Sequence, residues 1–534
     1  MERICSICSQ SFELFPDDLL YYQKIGVQEP RMCPQCRAQR RLAFRNERNF
    51  YKVKCGLCAK DTISVHSPNK PYPVYCHDCW FGDGWDAKEY AMDYDPGRPF
   101  FDQFKELWAK VPKVALMHTR SVNSEYLNFA GDNKDCYLII ESSNNENCIH
   151  CYWIQLCKDS VDLSCSHRTQ LSYESDGCYD SYKILYCRNC YDCRDSYFLL
   201  DCTNCSDCIG CVNLRSKQYY IFNQPYTKEE YIKRLAEMHL DTYEGVEKLR
   251  AEFETFAKTQ PHKFAERNNV TNSTGTYLAN VKNDWQCFHS YEAEDCRYCV
   301  HVWRGAKDCM DCDTAGRTAE TIYNSMNSGM ETSNHICTSA CWSSTFIEYC
   351  FYSISSSHCF GCTGLRKKSY CILNKQYDPE TYEKIRSQII EELKSKDIYG
   401  EFFPPDVSCY GYNESAAQEQ FPLTKEQALT QGFKWEDTER GTYGKENGKD
   451  IFACAQCTKN FRIIPREFEF YIRLSIPLPR LCPDCRHLRR FTARGPNRLW
   501  KRNCAKCNAE FETNYAPDRP EILYCEECYN REII

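Results

Sequence analysis

Eight cysteines near the start of the chain, Cys5, Cys8, Cys33, Cys36, Cys55, Cys58, Cys76 and Cys79, recur 449 positions later as Cys454, Cys457, Cys482, Cys485, Cys504, Cys507, Cys525 and Cys528. Both sets read C-x2-C-x24-C-x2-C-x18-C-x2-C-x17-C-x2-C, without insertion or deletion. Two thiolates two residues apart can chelate one metal from a tight turn, and two such knuckles complete a tetrahedral all-thiolate site. The spacing predicts four structural zinc ions in two tandem pairs. Modules this small bury little apolar surface, so the metal, with roughly ten kcal/mol or more of apparent binding energy, supplies most of their folding energy. Phe12, Tyr22, Phe461 and Tyr471, matched between the copies, are expected as their miniature cores, and Trp80 and Tyr529 as covers for the ribbon metals.

Forty-one cysteines in 534 residues would suit a secreted disulfide protein only if the domains were small and the compartment oxidising. Met1–Ser9 reads as the first knuckle rather than a leader, and no apolar run is long enough to span a bilayer. The expected setting is therefore a reducing cytoplasm, with thiolates held by metal and no membrane contact.

After the second knuckle of each copy comes an arginine-rich segment: Arg37, Arg40, Arg41, Arg45 and Arg48 in one, Arg486, Arg489, Arg490, Arg494 and Arg498 in the other. Spacings of three and four would place Arg37, Arg41, Arg45 and Arg48 on one side of a helix that begins at the knuckle. The string CxxCxxxF, a tyrosine, PR(M/L)CPxCR and a basic tail resembles an uncharacterised bacterial family of probable treble-clef zinc-binding domains. The ribbon Cys504–Cys528 is similar to a companion module found beside it in multi-module cysteine-rich proteins. The resemblance is confined to the zinc modules at the two ends of the chain; it implies zinc binding and a treble-clef fold, with no established activity.

The other cysteines lie between Cys136 and Cys409, and an offset of 151 carries Cys136, Cys148, Cys190, Cys208 and Cys211 onto Cys287, Cys299, Cys341, Cys359 and Cys362. Short strand-like runs alternate with bends rich in Asn, Asp, Ser and Cys, a pattern that suits stacked coils. The expected fold is mainly β with short helices: a central irregular β-solenoid of two repeated blocks flanked by treble-clef and ribbon pairs. The expected boundaries are zinc modules at 1–85, a capping helix and linker at 86–123, block one at 124–226, a helical segment at 227–274, block two at 275–377, helix and linker at 378–450, and zinc modules at 451–534.

Cys202, Cys205, Cys208 and Cys211 fall every third residue, as in a ferredoxin run. At the 151 offset, however, Cys202 and Cys205 become Ser353 and Ser356, while Cys187 and Cys193 become Thr338 and Ser344. Serine keeps the size and loses the soft thiolate, so these positions read as a ladder of small buried groups rather than ligands. The tyrosines that follow many cysteines are expected to stack on one another.

No HExxH, GxSxG, P-loop or dinucleotide fingerprint is present, and four-thiolate sets leave no open coordination position, so catalysis is not expected. Asp132, Asp135 and Glu141 are the carboxylates that a polysaccharide-cleaving solenoid could use, yet nothing in the sequence pairs them. The whole-chain charge is −7, but the segment from Cys454 to Asn503 carries twelve Lys and Arg against three acids. That local field favours phosphate. The sequence reading is thus a non-enzymatic zinc protein binding RNA or DNA through Arg37, Arg40, Arg41, Arg45, Arg486, Arg489, Arg490 and Arg494. The alternative is a protein–protein scaffold built on a rigid solenoid. The sequence leaves the oligomeric state open.

Overall fold

The structure is a computed structural model that describes every residue except 304, 306, 316–318, 330, 440, 448 and 534. It is mostly sheet with short helices, arranged as multiple small sheets without a closed barrel. Through 124–226 the strands pair in parallel with a constant advance of twelve residues: Tyr137 with Glu125, Glu146 with Lys158, Tyr182 with Arg194, Ser206 with Gln218. Single bridges between the strands keep the same advance, as in Val122–Lys134, Ser143–Gln155 and Asp176–Arg188. The run closes in a tight hairpin, Gln218–Ile221 against Gln224–Pro225.

A three-residue rule builds each coil. From Arg120 to Phe222 every third residue has a left-handed backbone, with Asp, Asn or Gly at many of these corners, as at Asp135, Asn147, Asp159, Gly177 and Asp192. Asn and Asp tolerate that region better than other side-chain-bearing residues. The residue after each corner points inward, as do Cys136, Ile139, Ser160, Cys190, Cys202 and Cys205, all fully or nearly fully buried. Where the residue twelve earlier is Ser, Asn or Cys, its side chain answers the amide of many an inward residue in place of a carbonyl. Cys187 N donates to Ser175 Oγ at 3.1 Å, Cys208 N to Ser196 Oγ at 3.1 Å, and Leu199 N to Cys187 Sγ at 3.4 Å. The inward hydroxyl or thiol in turn donates to the carbonyl two residues back: Ser166 to Ser164 at 2.8 Å, Cys202 to Leu200 at 3.4 Å. A buried amide left unpaired costs about 1–3 kcal/mol, which is why the lining alternates apolar residues with Cys, Ser, Thr and Asn.

The second block runs from Arg267 to Gln376 and also pairs in parallel up to its closing hairpin, but its advance changes. It is twelve between Phe288 and Val300, thirteen between Val300 and Asp313 and from Lys307 through Glu320 to Ser333, then twelve again. A single 151 offset therefore does not hold throughout. Cys136 and Cys208 share a column of stacked residues, whereas Cys287 stacks in the column of Cys299, Cys350 and Cys362, and Cys359 stands one face away. From Thr338 onward the offset is in register, so the comparison of Cys202 and Cys205 with Ser353 and Ser356 stands.

Outward aromatic residues stack at the same twelve-residue interval, for example Tyr179 on Tyr191 with ring centroids 4.8 Å apart and Tyr186 on Phe198 at 4.7 Å. Helices cover the last strands: Lys228–Glu237, opened by the Thr227–Glu230 capping box, and Pro379–Ser395, capped by Asp378. The helical segment expected at 227–274 is two helices, the second being Tyr243–Lys258. The helix Phe100–Lys110, expected to cap an end, instead lies along a side of the second block, with Phe100 against Phe360 and Tyr349. The segment expected as a polar linker is also partly core: Phe402, Phe403, Tyr410 and Tyr412 are buried with Phe44 and Phe351. The same segment also holds a short helix, Lys425–Thr430. Among the described residues no helix is long and apolar enough to cross a membrane.

Candidate metal centres and the arginine helices

Each set of four cysteines converges, with the ligand atoms of Cys5, Cys8, Cys33 and Cys36 within 4.8 Å of one another, and likewise those of the 55–79, 454–485 and 504–528 sets. Each second knuckle sits at a helix start: Pro34–Leu42, His77–Phe81, Pro483–Arg494 and Glu526–Ile533. Four sulfurs arranged tetrahedrally about 2.3 Å from one ion lie about 3.8 Å apart. The observed separations are 3.8 Å for Cys8–Cys33, 3.9 Å for Cys58–Cys76, and 3.7 Å for Cys457–Cys482 and Cys507–Cys525. The donor set therefore fits a tetrahedral, thiophilic metal ion at all four places.

The backbone prepares these thiols for a cation in the same way each time. The amide of the third cysteine donates to the sulfur of the first: Cys33 to Cys5 and Cys76 to Cys55 at 3.3 Å, Cys482 to Cys454 at 3.2 Å, Cys525 to Cys504 at 3.3 Å. Burial alone would raise the Cys55 thiol, but the amides of Cys58, Cys76 and Leu57 bring it down to about 6. Cys454 and Cys504 are brought to about 6 by equivalent amides against the same opposing burial. Cys33 is held at about 5, chiefly by its bond with Cys36.

The central cysteines are not part of these sets. Their thiols donate to backbone carbonyls inside the coils, as Cys205 does to Thr203 and Leu214 at 3.4 and 3.5 Å. Ser344, at the position matched to Cys193, donates to Trp342 and Ser353 at 2.9 and 3.0 Å, and Cys193 donates to the corresponding carbonyls of Tyr191 and Cys202.

The arginines differ most from the sequence reading, because they do not form an exposed basic face. Arg37 is 1% exposed and bonds Asp311 at 2.7 Å; Arg41 is 0% exposed and bonds Asp313 at 2.9 Å and Asn324 at 3.0 Å. The first helix ends at Leu42, so Arg45 leaves it to pair with Glu47 and Glu141. Arg40 faces Glu401 at 3.6 Å. At the other end Arg486 and Arg490, 1% and 5% exposed, share Asp162 at 3.0 and 3.2 Å. Arg494 bonds Asp176 through Nε at 3.1 Å, and Arg489, the most open of the four, pairs with Glu174.

The seating is crossed. The N-terminal module docks on the second block and the C-terminal module on the first. Counterparts at the 449 offset stand at each seat: Asp18 receives Arg297 and Tyr298 of the second block at 2.7 and 2.8 Å, and Glu467 receives His150 of the first block at 3.2 Å and Tyr471 of its own helix at 2.7 Å. The aromatic residues expected as private module cores lie at these seats, Tyr22 against Tyr323 and Tyr471 against Tyr173. The second four-cysteine module of each pair docks too. Ile522–Tyr524 pairs in parallel with Pro261–Lys263, and Val74–Tyr75 with Lys113–Val114. Tyr529, rather than simply roofing a metal, donates its hydroxyl to Asp201 and Asn213 at 3.0 and 2.7 Å. Trp80 Nε1 reaches Pro112 O at 3.4 Å.

The carboxylates considered for catalysis are likewise engaged: Asp132 with Arg120 at 2.7 Å, Asp135 with Asn123, and Glu141 with Arg45 and with Thr314 at 3.1 Å. No family model matches the chain, and no curated protein matches it.

Proposed function

We propose that the chain is a non-catalytic zinc protein in which treble-clef and ribbon pairs staple a two-block β-solenoid from both ends, making a rigid scaffold for protein partners. Zinc is the natural occupant of four all-thiolate sets with tetrahedral spacing. The constant parallel advance and inward small residues support reading the blocks as solenoid coils. The observation that carries the scaffold reading is the burial of Arg37, Arg41, Arg486, Arg490 and Arg494 on coil carboxylates. A guanidinium already paired and desolvated has little left to offer a phosphate, so the arginines that form the predicted basic faces are engaged inside the molecule, while the exposed Arg462, Arg473, Arg480, Arg498 and Lys501 lie off those faces. Large apolar side chains stand exposed on the modules instead, including Ile4, Leu20, Phe468 and Ile472.

The test uses the full-length, zinc-loaded protein. Fluorescence anisotropy with single- and double-stranded RNA and DNA should show no salt-sensitive binding, and elemental analysis should give four zinc ions per chain. Proteins cross-linked to the exposed module faces should be lost with Leu20→Asp and with Phe468→Asp plus Ile472→Asp. Saturable nucleic-acid binding that weakens steeply with salt would restore the phosphate reading.

A further inference from the structure

The helix Pro465–Leu474 of the C-terminal module has two different faces. Glu467, Phe470, Tyr471 and Leu474 are buried on the side of the first block, where Tyr471 meets Tyr173 and Glu467 meets His150. On the other side Phe468 and Ile472 stand 45% and 63% exposed, one turn apart, outside the apolar cluster that Phe470, Tyr471 and Leu474 join. Glu469 and Arg473, also exposed, repeat the spacing of four along one flank of that pair. Glu469 has no ion-pair partner among the described residues, and Arg473 comes no nearer to Asp159 than 4.0 Å.

The fold does not call for this outer face. At the 449 offset the seat residues recur, with Asp18 for Glu467 and Tyr22 for Tyr471, whereas Gln23 stands in the place of Ile472 and Leu20 in that of Glu469. The matching N-terminal helix, Pro16–Ile25, therefore forms and docks with a different outer side. Two large apolar side chains on adjacent turns, rimmed by charge, make a contact patch rather than scattered exposure.

The charges identify the occupant. Turned antiparallel about a twofold axis, two copies of this face set Phe468 and Ile472 of one against Ile472 and Phe468 of the other, with both charged flanks on the same side. Glu469 of each copy then faces Arg473 of the other, so the pattern is complementary to itself. We propose that Pro465–Leu474 is where a second copy of this chain binds, as an isologous antiparallel helix pair with Phe468 and Ile472 at its centre and reciprocal Glu469–Arg473 pairs at its rim. Because the N-terminal helix lacks this pattern, assembly through the face stops at a dimer. One helix pair lies at the small end of specific interfaces, so the dimer is weak and reversible. The inference rests on the scaffold reading and names the partner at one of its exposed faces.

Sedimentation velocity of the full-length zinc-loaded protein from about 1 to 200 μM, a range that brackets a weak contact, should show monomer passing to dimer and nothing larger. Ile472→Gln, which installs the side chain found at the N-terminal counterpart, should weaken the dimer at least about tenfold without moving the melting temperature. Glu469→Arg and Arg473→Glu should each do the same alone, since each sets like charges across the axis. Mixed one to one, these two variants should associate with each other as the parent does, because each supplies the charge that the other's flank lacks. The proposal is overturned if the parent stays monomeric throughout or grows beyond a dimer, if the single variants dimerise as the parent does, or if the mixture fails to recover. A monomeric parent whose cross-linked proteins are still lost with Phe468→Asp plus Ile472→Asp would overturn it too, while leaving the scaffold reading in place with a different protein on this face.

Discussion

Asp162→Asn isolates the seat of the C-terminal module. Asp162 is fully buried on a left-handed corner of the first block and serves both Arg486 and Arg490, at 3.0 and 3.2 Å. These contacts are close without being linear hydrogen bonds, so the attraction is chiefly one of charge. Asparagine keeps the size of the side chain and is well suited to the left-handed backbone, so the change removes charge and little else. Arg486 retains Glu467 at 3.3 Å, whereas Arg490 keeps only the Ser164 hydroxyl. Breaking a buried pair from one side costs about 3–5 kcal/mol. For a cooperative unit of 150–250 residues that corresponds to a fall of roughly 6–20 °C in melting temperature. Differential scanning calorimetry should show the fall, and limited proteolysis should show earlier cutting between residues 434 and 450. Because the pair is buried, raising salt should change the parent's melting temperature little. A variant that melts within about 2 °C of the parent and resists protease equally would refute the view that these arginines are structural clamps.

Cys33→Ser with Cys36→Ser should remove one bound ion and, because Tyr22 and Arg37 share a core with the second block, speed amide exchange around Arg297–Asn324. Unchanged exchange there would mean that the module folds on its own. Cys202→Ser with Cys205→Ser should keep all bound metal and lose no more than about 1 kcal/mol, since a hydroxyl can make the same bonds to Leu200 O and Thr203 O; loss of metal would contradict the ladder. Glu467 is held at about 2 by His150, Arg486 and the Tyr471 hydroxyl, against burial that would raise it. Its folded value lies below the ordinary 4.5, so its stabilisation is complete above that value and is lost as pH falls from about 5 towards 2. Glu467→Gln should therefore flatten that part of the acid limb relative to the parent, and identical acid limbs would show that the carboxylate is not charged in the fold.

The sequence by itself determined the four metal sets, because ligand spacing in a knuckle is a local property that a single chain displays in full. It also showed that the middle is repeated and that Ser344, Ser353 and Ser356 of the second block stand where the first has Cys193, Cys202 and Cys205. Triplets such as Lys134-Asp135-Cys136, Glu146-Asn147-Cys148 and Arg194-Asp195-Ser196 carry a finer signal, an Asp or Asn at many of the left-handed corners just before the inward residue. Four such triplets make the twelve-residue coil. The sequence could not disclose that the second block takes thirteen residues in some coils, because a fixed offset conceals slippage when Cys recurs every third position. Nor could it disclose the fate of the arginines. Charge counted along a segment says how much field the segment carries, but whether that field meets solvent or a carboxylate depends on residues more than 250 positions away. Asp311 and Asp313 neutralise the first helix and Asp162 and Asp176 the second, and only the crossed docking of each end on the opposite block brings them together. Burial then makes the pairing decisive, because a guanidinium withdrawn from water must be matched where it lies.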